Sequence, residues 1–322
     1  MMRGVAACLA LGLAVLSLVG MPAGPALGET LDVGTWKTAQ TIQPFYYNDF
    51  LPQGTSVTVH PFTNPADQKS ALLAGSLDMC GTTLAHAIHS ASMGQPVVLV
   101  AALCNKCSAL VVKKGAGIDE VADLKGRKIG YVPGTMHEIL LRETLSQHGL
   151  SPRTDVQLMR VDFFDMGLAL ARGDIDAFLS GEPFPTMAEE KGYGTILSYP
   201  YYGESIGDIN AGMLVTRSFL QEHPDKGYRL VKAHAEASGH LTEHQGEWLS
   251  RASDFGTAKS TLQKAADNME LAWDMDATFV QRTKALGKRM EALGMIQRQP
   301  DYDRLFDLSI VNRVRANMAA NE

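Results

Sequence analysis

Beyond its first stretch this 322-residue chain has no apolar run that approaches the roughly 20 residues needed to cross a bilayer, so stable membrane insertion is not expected. It has no basic block either. Its 29 Lys and Arg are dispersed among 35 Asp and Glu, for a net charge of −6, and that balance speaks against nucleic acid as a partner. Chemistry-bearing constellations are equally scarce. GxGxxG is absent and no Ser, His and Asp set is read at a nucleophile elbow, so the expectation is a chain that is no enzyme and carries no cofactor. His86 and His89 stand three apart on one helix signal and His240 and His244 four apart, but neither pair has a carboxylate third ligand at a matching position, and no metal site is expected from them.

What is present begins with a leader pattern. Arg3 precedes an apolar run from Val5 to Val19, followed by Gly20, Pro22, Gly24 and Pro25 and by small residues before a cut after Gly28. This order predicts a secretory signal peptide over 1–28 and an exported chain, located in the periplasm. Export places Cys80, Cys104 and Cys107 in an oxidising compartment, where a disulfide is expected, Cys104 to Cys107 or a longer one to Cys80. The alternative for the same residues is a three-thiolate pocket for a soft metal or thiophilic ligand.

Without residues 1–28 the chain is still longer than one compact core usually holds, so two lobes are expected. Strand and helix signals alternate: strands near Leu31–Gly34, Ser56–Pro61 and Leu77–Gly81, helices over Thr38–Asp49, Pro65–Ala74 and Leu84–Ser92. This is the rhythm of an open, parallel-type α/β sheet. Two longer strands follow, Pro96–Leu103 and Ser108–Lys113. The chain also repeats itself. ALLAGSLD at Ala71–Asp78 returns as ALARGDID at Ala169–Asp176, and LDVGTW at Leu31–Trp36 returns as RKIGYV at Arg127–Val132, at nearly equal offsets. The division read from this is a first lobe over 29–108, a second over 109–208, and a return strand with C-terminal helices over 209–322 that complete the first lobe.

DLKGRKIGYVPGTMHEILL (Asp123–Leu141), HGLSPRTDV (His148–Val156) and ALARGDIDAFLSGEPF (Ala169–Phe184) together resemble the periplasmic binding proteins for nitrate, taurine and aliphatic sulfonates, a superfamily of type II solute-binding proteins that includes binders of thiamine pyrimidine precursors. The resemblance implies two α/β lobes joined by hinge strands, a small-molecule ligand in the cleft between them, and delivery to an ABC transporter permease with its ATPase by a monomer. The ligand it implies is a small anion such as a sulfonate, taurine or nitrate. Alternatives are a pyrimidine precursor, a thiophilic ligand, or a sensor role beside a membrane kinase. An enzyme of pyrimidine synthesis shares a related fold, and the leader argues against it.

In open α/β sheets ligands bind beyond the carboxyl ends of strands, where loops feed helix N-termini. Candidate ligand contacts at such junctions are Trp36, Lys37 and Gln40 after the first strand, and Thr82 and Thr83 after the third. In the second lobe they are Gly134, Thr135, Met136, His137 and Glu182, with Asn210 on the return strand. Phe163 and Phe164 are expected at the cleft edge. Glu182 would repel an anion unless a cation such as Lys37 pairs with it.

Overall fold

The computed structural model describes residues 28–201 and 206–320. Apart from Gly28, the leader expected over 1–28 lies outside the described residues. The chain opens with β1 (Glu29–Trp36) and β2 (Thr55–Phe62), a parallel pair, then α1 (Pro65–Leu73), β3 (Met79–Thr83), α2 (Leu84–Ser92) and β4 (Val97–Lys106). Cys107 alone separates β4 from β5 (Ser108–Lys113), and there the chain passes into a second sheet. The second lobe runs through β6 (Lys128–Tyr131), α3 (Met136–Gln147), β7 (Gln157–Arg160), α4 (Met166–Arg172), β8 (Ala177–Gly181), α5 (Phe184–Glu190) and β9 (Gly194–Ser198). β10 (Ile209–Thr216) returns to the first sheet. After it come α6 (Arg217–Glu222), α7 (Pro224–Glu243), α8 (Gln245–Ser253), α9 (Lys259–Ala265), β11 (Met269–Leu271), α10 (Ala277–Ala292), α11 (Tyr302–Leu305) and α12 (Leu308–Ala319).

Strand order is β11-β4-β10-β3-β1-β2 in the first sheet and β7-β6-β8-β5-β9 in the second. Each sheet has a parallel heart, β1 between β2 and β3 and β6 between β7 and β8, extended by antiparallel strands. The internal repeat coincides with these hearts. Asp78 accepts the backbone N–H of Asp32 at 2.8 Å, and Asp176 accepts that of Lys128 at 2.9 Å, so the two repeated aspartates staple the same crossing in each lobe. Gly34 and Gly130 match as well: a Cβ on the first would stand 2.7 Å from Leu77 Cδ1, and on the second 2.8 Å from Ile175 Cδ1. The chain entering β3 or β8 can pack this closely on the neighbouring strand only over glycine.

One expectation differs from the structure. Thr38–Asp49 reads as a helix by period but forms two 3-10 segments, Ala39–Thr41 and Gln43–Asp49. Pro44 lacks the N–H that a continuing α-helix would use, and the Thr41 hydroxyl donates to the Trp36 carbonyl at 3.0 Å instead. The amphipathic run Ser218–Leu241 is broken by Pro224, which starts α7 afresh.

The C-terminal helices pack on the first lobe. Leu230, Val231 and Leu241 of α7, Leu286 and Met290 of α10 and Val311 and Val314 of α12 share one core with Val33, Met79, Leu99 and Met213 of the sheet. Inside it the His234 Nε2–H donates to the Ala102 carbonyl at 2.7 Å, which leaves Nδ1 to accept from the Tyr47 hydroxyl at 2.9 Å. Burial holds this imidazole neutral, with its pKa lowered to about 4. The lobes are pressed together. Met136 and Ile139 of α3 join the first lobe's core, Arg289 Nε meets Glu143 Oε1 at 2.6 Å, and Lys264 Nζ meets Glu190 Oε1 at 2.5 Å.

Candidate ligand-binding site

A cavity lies between the sheets, where β1, β3 and β8 end and β10 begins. It has about 470 Å³ of non-atom space, of which the centres of water-sized molecules reach about 50 Å³. One water takes roughly 10–15 Å³ on the latter measure, so the cavity suits a few waters or one small flat molecule.

Each wall has its own chemistry. Phe163, Phe164 and Phe184 come from the second lobe, with Phe164 and Phe184 edge to face at 5.1 Å. His137, in the first turn of α3, stands edge-on to Phe163 at 5.3 Å and shares a hydrogen bond between its Nδ1 and Ser108 Oγ at 3.0 Å. Its Nε2 lies over Gly181, where a Cβ would stand 3.2 Å away. The first lobe contributes Trp36, Thr38, Gln40, Thr41 and Thr83. Thr38 and Thr41 are hydrogen-bonded to each other at 2.9 Å, and Thr83 caps α2 by accepting the His86 N–H. At the crossing between sheets, Asn210 Nδ2 donates to the Lys106 carbonyl at 2.8 Å and to Cys107 Sγ at 3.0 Å.

Two polar atoms of lining residues, Trp36 Nε1 and Gln40 Oε1, are buried with no hydrogen-bond partner. An orphaned buried polar group costs about 1–3 kcal/mol. Among the described residues no Lys or Arg lines the cavity. Burial pushes His137 down to about 4, leaving it neutral near pH 7. Glu182 sits fully buried at the end of β8, where its carboxylate accepts from Thr186 N–H at 3.2 Å and Asn268 Nδ2 at 3.3 Å. Burial raises its pKa despite those bonds.

Of the candidate contacts, Trp36, Gln40, Thr83, His137 and Asn210 line the cavity. Lys37 is exposed and makes no pair with Glu182. Thr82 is buried one residue before Thr83 and points elsewhere, because successive strand residues face opposite sides. Thr135 is spent as the cap of α3, accepting from Glu138 N–H and donating to the Val132 carbonyl at 2.8 Å. Met136 is in the first lobe's core, and Gly134 borders a separate groove with His86 and Lys69. Phe184, Thr38, Thr41 and Ala211 line the cavity without having been singled out. Phe184 carried a usable signal, as the residue that follows Pro183 at a strand end.

The thiols need correction. Cys80, Cys104 and Cys107 are all free and buried, so the expected disulfide is not formed. Cys104 and Cys107 line the cavity while Cys80 does not, its side chain packing toward Gly34 on another part of the sheet. Among the described residues no group of three His, Cys, Asp or Glu is arranged to hold a metal, and the three-thiolate pocket falls with it. His240 does meet a carboxylate, Glu247, through a hydrogen bond of 3.0 Å. Among the described residues no helix is long and apolar enough to cross a membrane.

Residues 46–247, more than half of the chain, match the family described as NMT1/THI5 like. The chain belongs to that family. Among curated NMT1/THI5-like relatives, the 4-amino-5-hydroxymethyl-2-methylpyrimidine phosphate synthase of Schizosaccharomyces pombe is 31% identical over 151 residues, 44% of this chain and 43% of that protein. The match thus spans less than half of the relative. In structure the chain is similar to the ligand binding component of an ABC-type import system from Staphylococcus aureus with zinc bound, at TM-score 0.78 and 17% identity over 89% of this chain and 99% of that one. It is also similar to the alkanesulfonate-binding protein SsuA from Xanthomonas axonopodis pv. citri bound to MOPS, at TM-score 0.75 and 20% identity over 91% and 99%. The fold is that of a type II periplasmic binding protein.

The expectation that the chain is no enzyme does not stand, because relatives in this family are named as synthases. Nor is the sequence free of nucleophile spacing: Gly203-Glu204-Ser205-Ile206-Gly207 is a G-x-S-x-G. Part of it lies outside the described residues, and it leads into a strand, β10, where a nucleophile elbow leads into a helix.

Proposed function

We propose that this chain is the solute-binding component of an ABC-type importer, working outside the cytoplasmic membrane, and that its cavity takes a flat, uncharged nitrogen heterocycle of the pyrimidine type. The observation that carries the ligand class is a lining that among the described residues has no Lys or Arg and leaves one buried donor, Trp36 Nε1, and one buried acceptor, Gln40 Oε1, without partners. A ring nitrogen accepts from the first and an exocyclic amino group donates to the second. Phe163, Phe164 and Phe184 supply faces and edges for the ring.

A sulfonate or nitrate, the anion implied by resemblance, meets poorer chemistry here. Desolvating a fixed charge beside a neutral His137 costs several kcal/mol with no cation in the wall to offset it. The synthase names of the relatives point to the same ring. The leader pattern and the import-system neighbour support the transport role.

Isothermal titration of the purified chain with 4-amino-5-hydroxymethyl-2-methylpyrimidine, taurine and nitrate separates the readings. Saturable binding of the pyrimidine at micromolar Kd or tighter, with the anions at least about tenfold weaker, is the expected result. Preference for either anion overturns the ligand assignment.

A further inference from the structure

We infer that Cys104 and Cys107 are a reversible thiol–disulfide pair that governs whether the cavity can take its ligand, an inference that rests on the ligand reading above. The Cys104-Asn105-Lys106-Cys107 segment is where the first sheet ends and the second begins, since β4 closes at Lys106 and β5 opens at Ser108. Residues three apart on an extended strand stand about 10 Å apart and on opposite faces, too far for a disulfide. Here the backbone turns instead. Lys106 and Cys107 both hold left-handed conformations, φ 58° and 69°, which are disfavoured for residues other than glycine and cluster at functional sites.

The turn leaves both thiols lining the one cavity, and the nearness of Cys104 is the first cause of the raised Cys107 pKa. Surrounding bonds fix it in place. The Lys106 N–H donates to the Asp208 carbonyl at 2.6 Å, the Cys107 N–H to the Asn268 carbonyl at 2.7 Å, and the Glu182 N–H to the Cys107 carbonyl at 2.8 Å. Asn210 donates to Cys107 Sγ at 3.0 Å.

Both thiols are buried, at 2% exposure each, so an oxidant reaches them by way of the cavity. A small-molecule disulfide, RSSR, supplies the oxidising equivalents. The Cys104 thiol gives up its proton and attacks one sulfur of RSSR, forming a mixed disulfide and releasing RSH. The Cys107 thiol then gives up its proton, attacks the Cys104 sulfur and releases the second RSH. In sum, two thiols and RSSR become one protein disulfide and two RSH. The protein loses two electrons and two protons, and RSSR takes up both.

Closing the bond draws Cys107 Sγ away from Asn210 and strips both S–H groups from the lining. A ligand already in place blocks the path to the thiols. Oxidation and ligand binding therefore exclude each other.

The test uses the full chain with Cys80→Ala, to leave the pair as the cysteines among the described residues, treated with cystamine with and without 4-amino-5-hydroxymethyl-2-methylpyrimidine. Intact mass should show the loss of two hydrogens, peptide mapping should place the bond between Cys104 and Cys107, and Cys104→Ser or Cys107→Ser should abolish it. The oxidised chain should bind the pyrimidine about tenfold or more weakly, recover on reduction, and form the bond more slowly when the pyrimidine is present. A stable mixed disulfide without ring closure, or equal affinity of both redox forms, overturns the proposal. If the reduced chain does not bind the pyrimidine, the ligand reading fails, and with it the claim that the pair governs binding, while the mass measurement still reports whether the pair closes.

Discussion

Replacing Gln40 with Met should move stability and affinity in opposite directions. The two side chains have nearly the same length and volume, so packing against Trp36 and Thr83 is kept, while the orphaned acceptor Oε1 disappears. A buried acceptor without a partner costs about 1–3 kcal/mol, and relieving it should raise the melting temperature of the ligand-free chain by roughly 2–6 °C. In the complex the same change strands the amino group of the pyrimidine in a closed cavity. That loss is again about 1–3 kcal/mol, a weakening of about five- to 150-fold in Kd. Thermal unfolding of the ligand-free variant and titration with 4-amino-5-hydroxymethyl-2-methylpyrimidine read the two terms separately. A variant that is less stable and binds as tightly as the parent would refute the reasoning, because Oε1 would then be serving the fold and not the ligand.

Three further outcomes follow from the same geometry. Gly181→Ala places a Cβ 3.2 Å from His137 Nε2 and 3.3 Å from Cys107 Sγ; titration should show Kd weakened about tenfold or more, with circular dichroism unchanged. Asp78→Ala and Asp176→Ala each remove a carboxylate that holds a strand N–H, and urea denaturation should show losses of about 1.5–3 kcal/mol apiece that add in the double variant, since the sites share no partner. His137 and His234 have folded pKa values lowered from 6.5 to about 4, so the unfolded chain binds more protons between those values; stability is full above about pH 6.5 and falls toward pH 4, by up to about 3 kcal/mol per histidine. Glu143 and Glu182, raised by burial, act in the opposite sense; a urea midpoint that stays level from pH 7 to 5 and is unaltered in slope by His234→Gln would contradict the histidine account.

Local pattern carried much of this fold. The apolar run in Ser108–Lys113 marks β5 at the residues where it runs, and the paired repeats fall on matching strands because each lobe needs glycine and aspartate at the same crossing. The pairing of β10 between β3 and β4 had no local signature: it joins residues more than a hundred positions apart. The site divides in the same way. Trp36 and Asn210 sit at strand ends and were legible there, whereas Thr82 and Thr83 differ only in which side of β3 they face. Thr135 shows a limit of another kind. Its position at a glycine-flanked helix start suits both a ligand contact and a cap, and the hydrogen bonds to Glu138 and Val132 place it as a cap.

The order of strands in the first sheet sets an order of events as the chain is made. β3 and β4 emerge early but are not neighbours; the place between them belongs to β10, which ends at Thr216. The first hundred residues therefore cannot close their own sheet, and β4 waits with both edges unpaired. Residues 108–198 hold every strand of the second sheet in one continuous segment and can close it first. A nascent chain that has emerged from the ribosome only as far as residue 198 should thus carry a formed middle lobe and an unformed amino-terminal one, the reverse of the sequence in which they were synthesised.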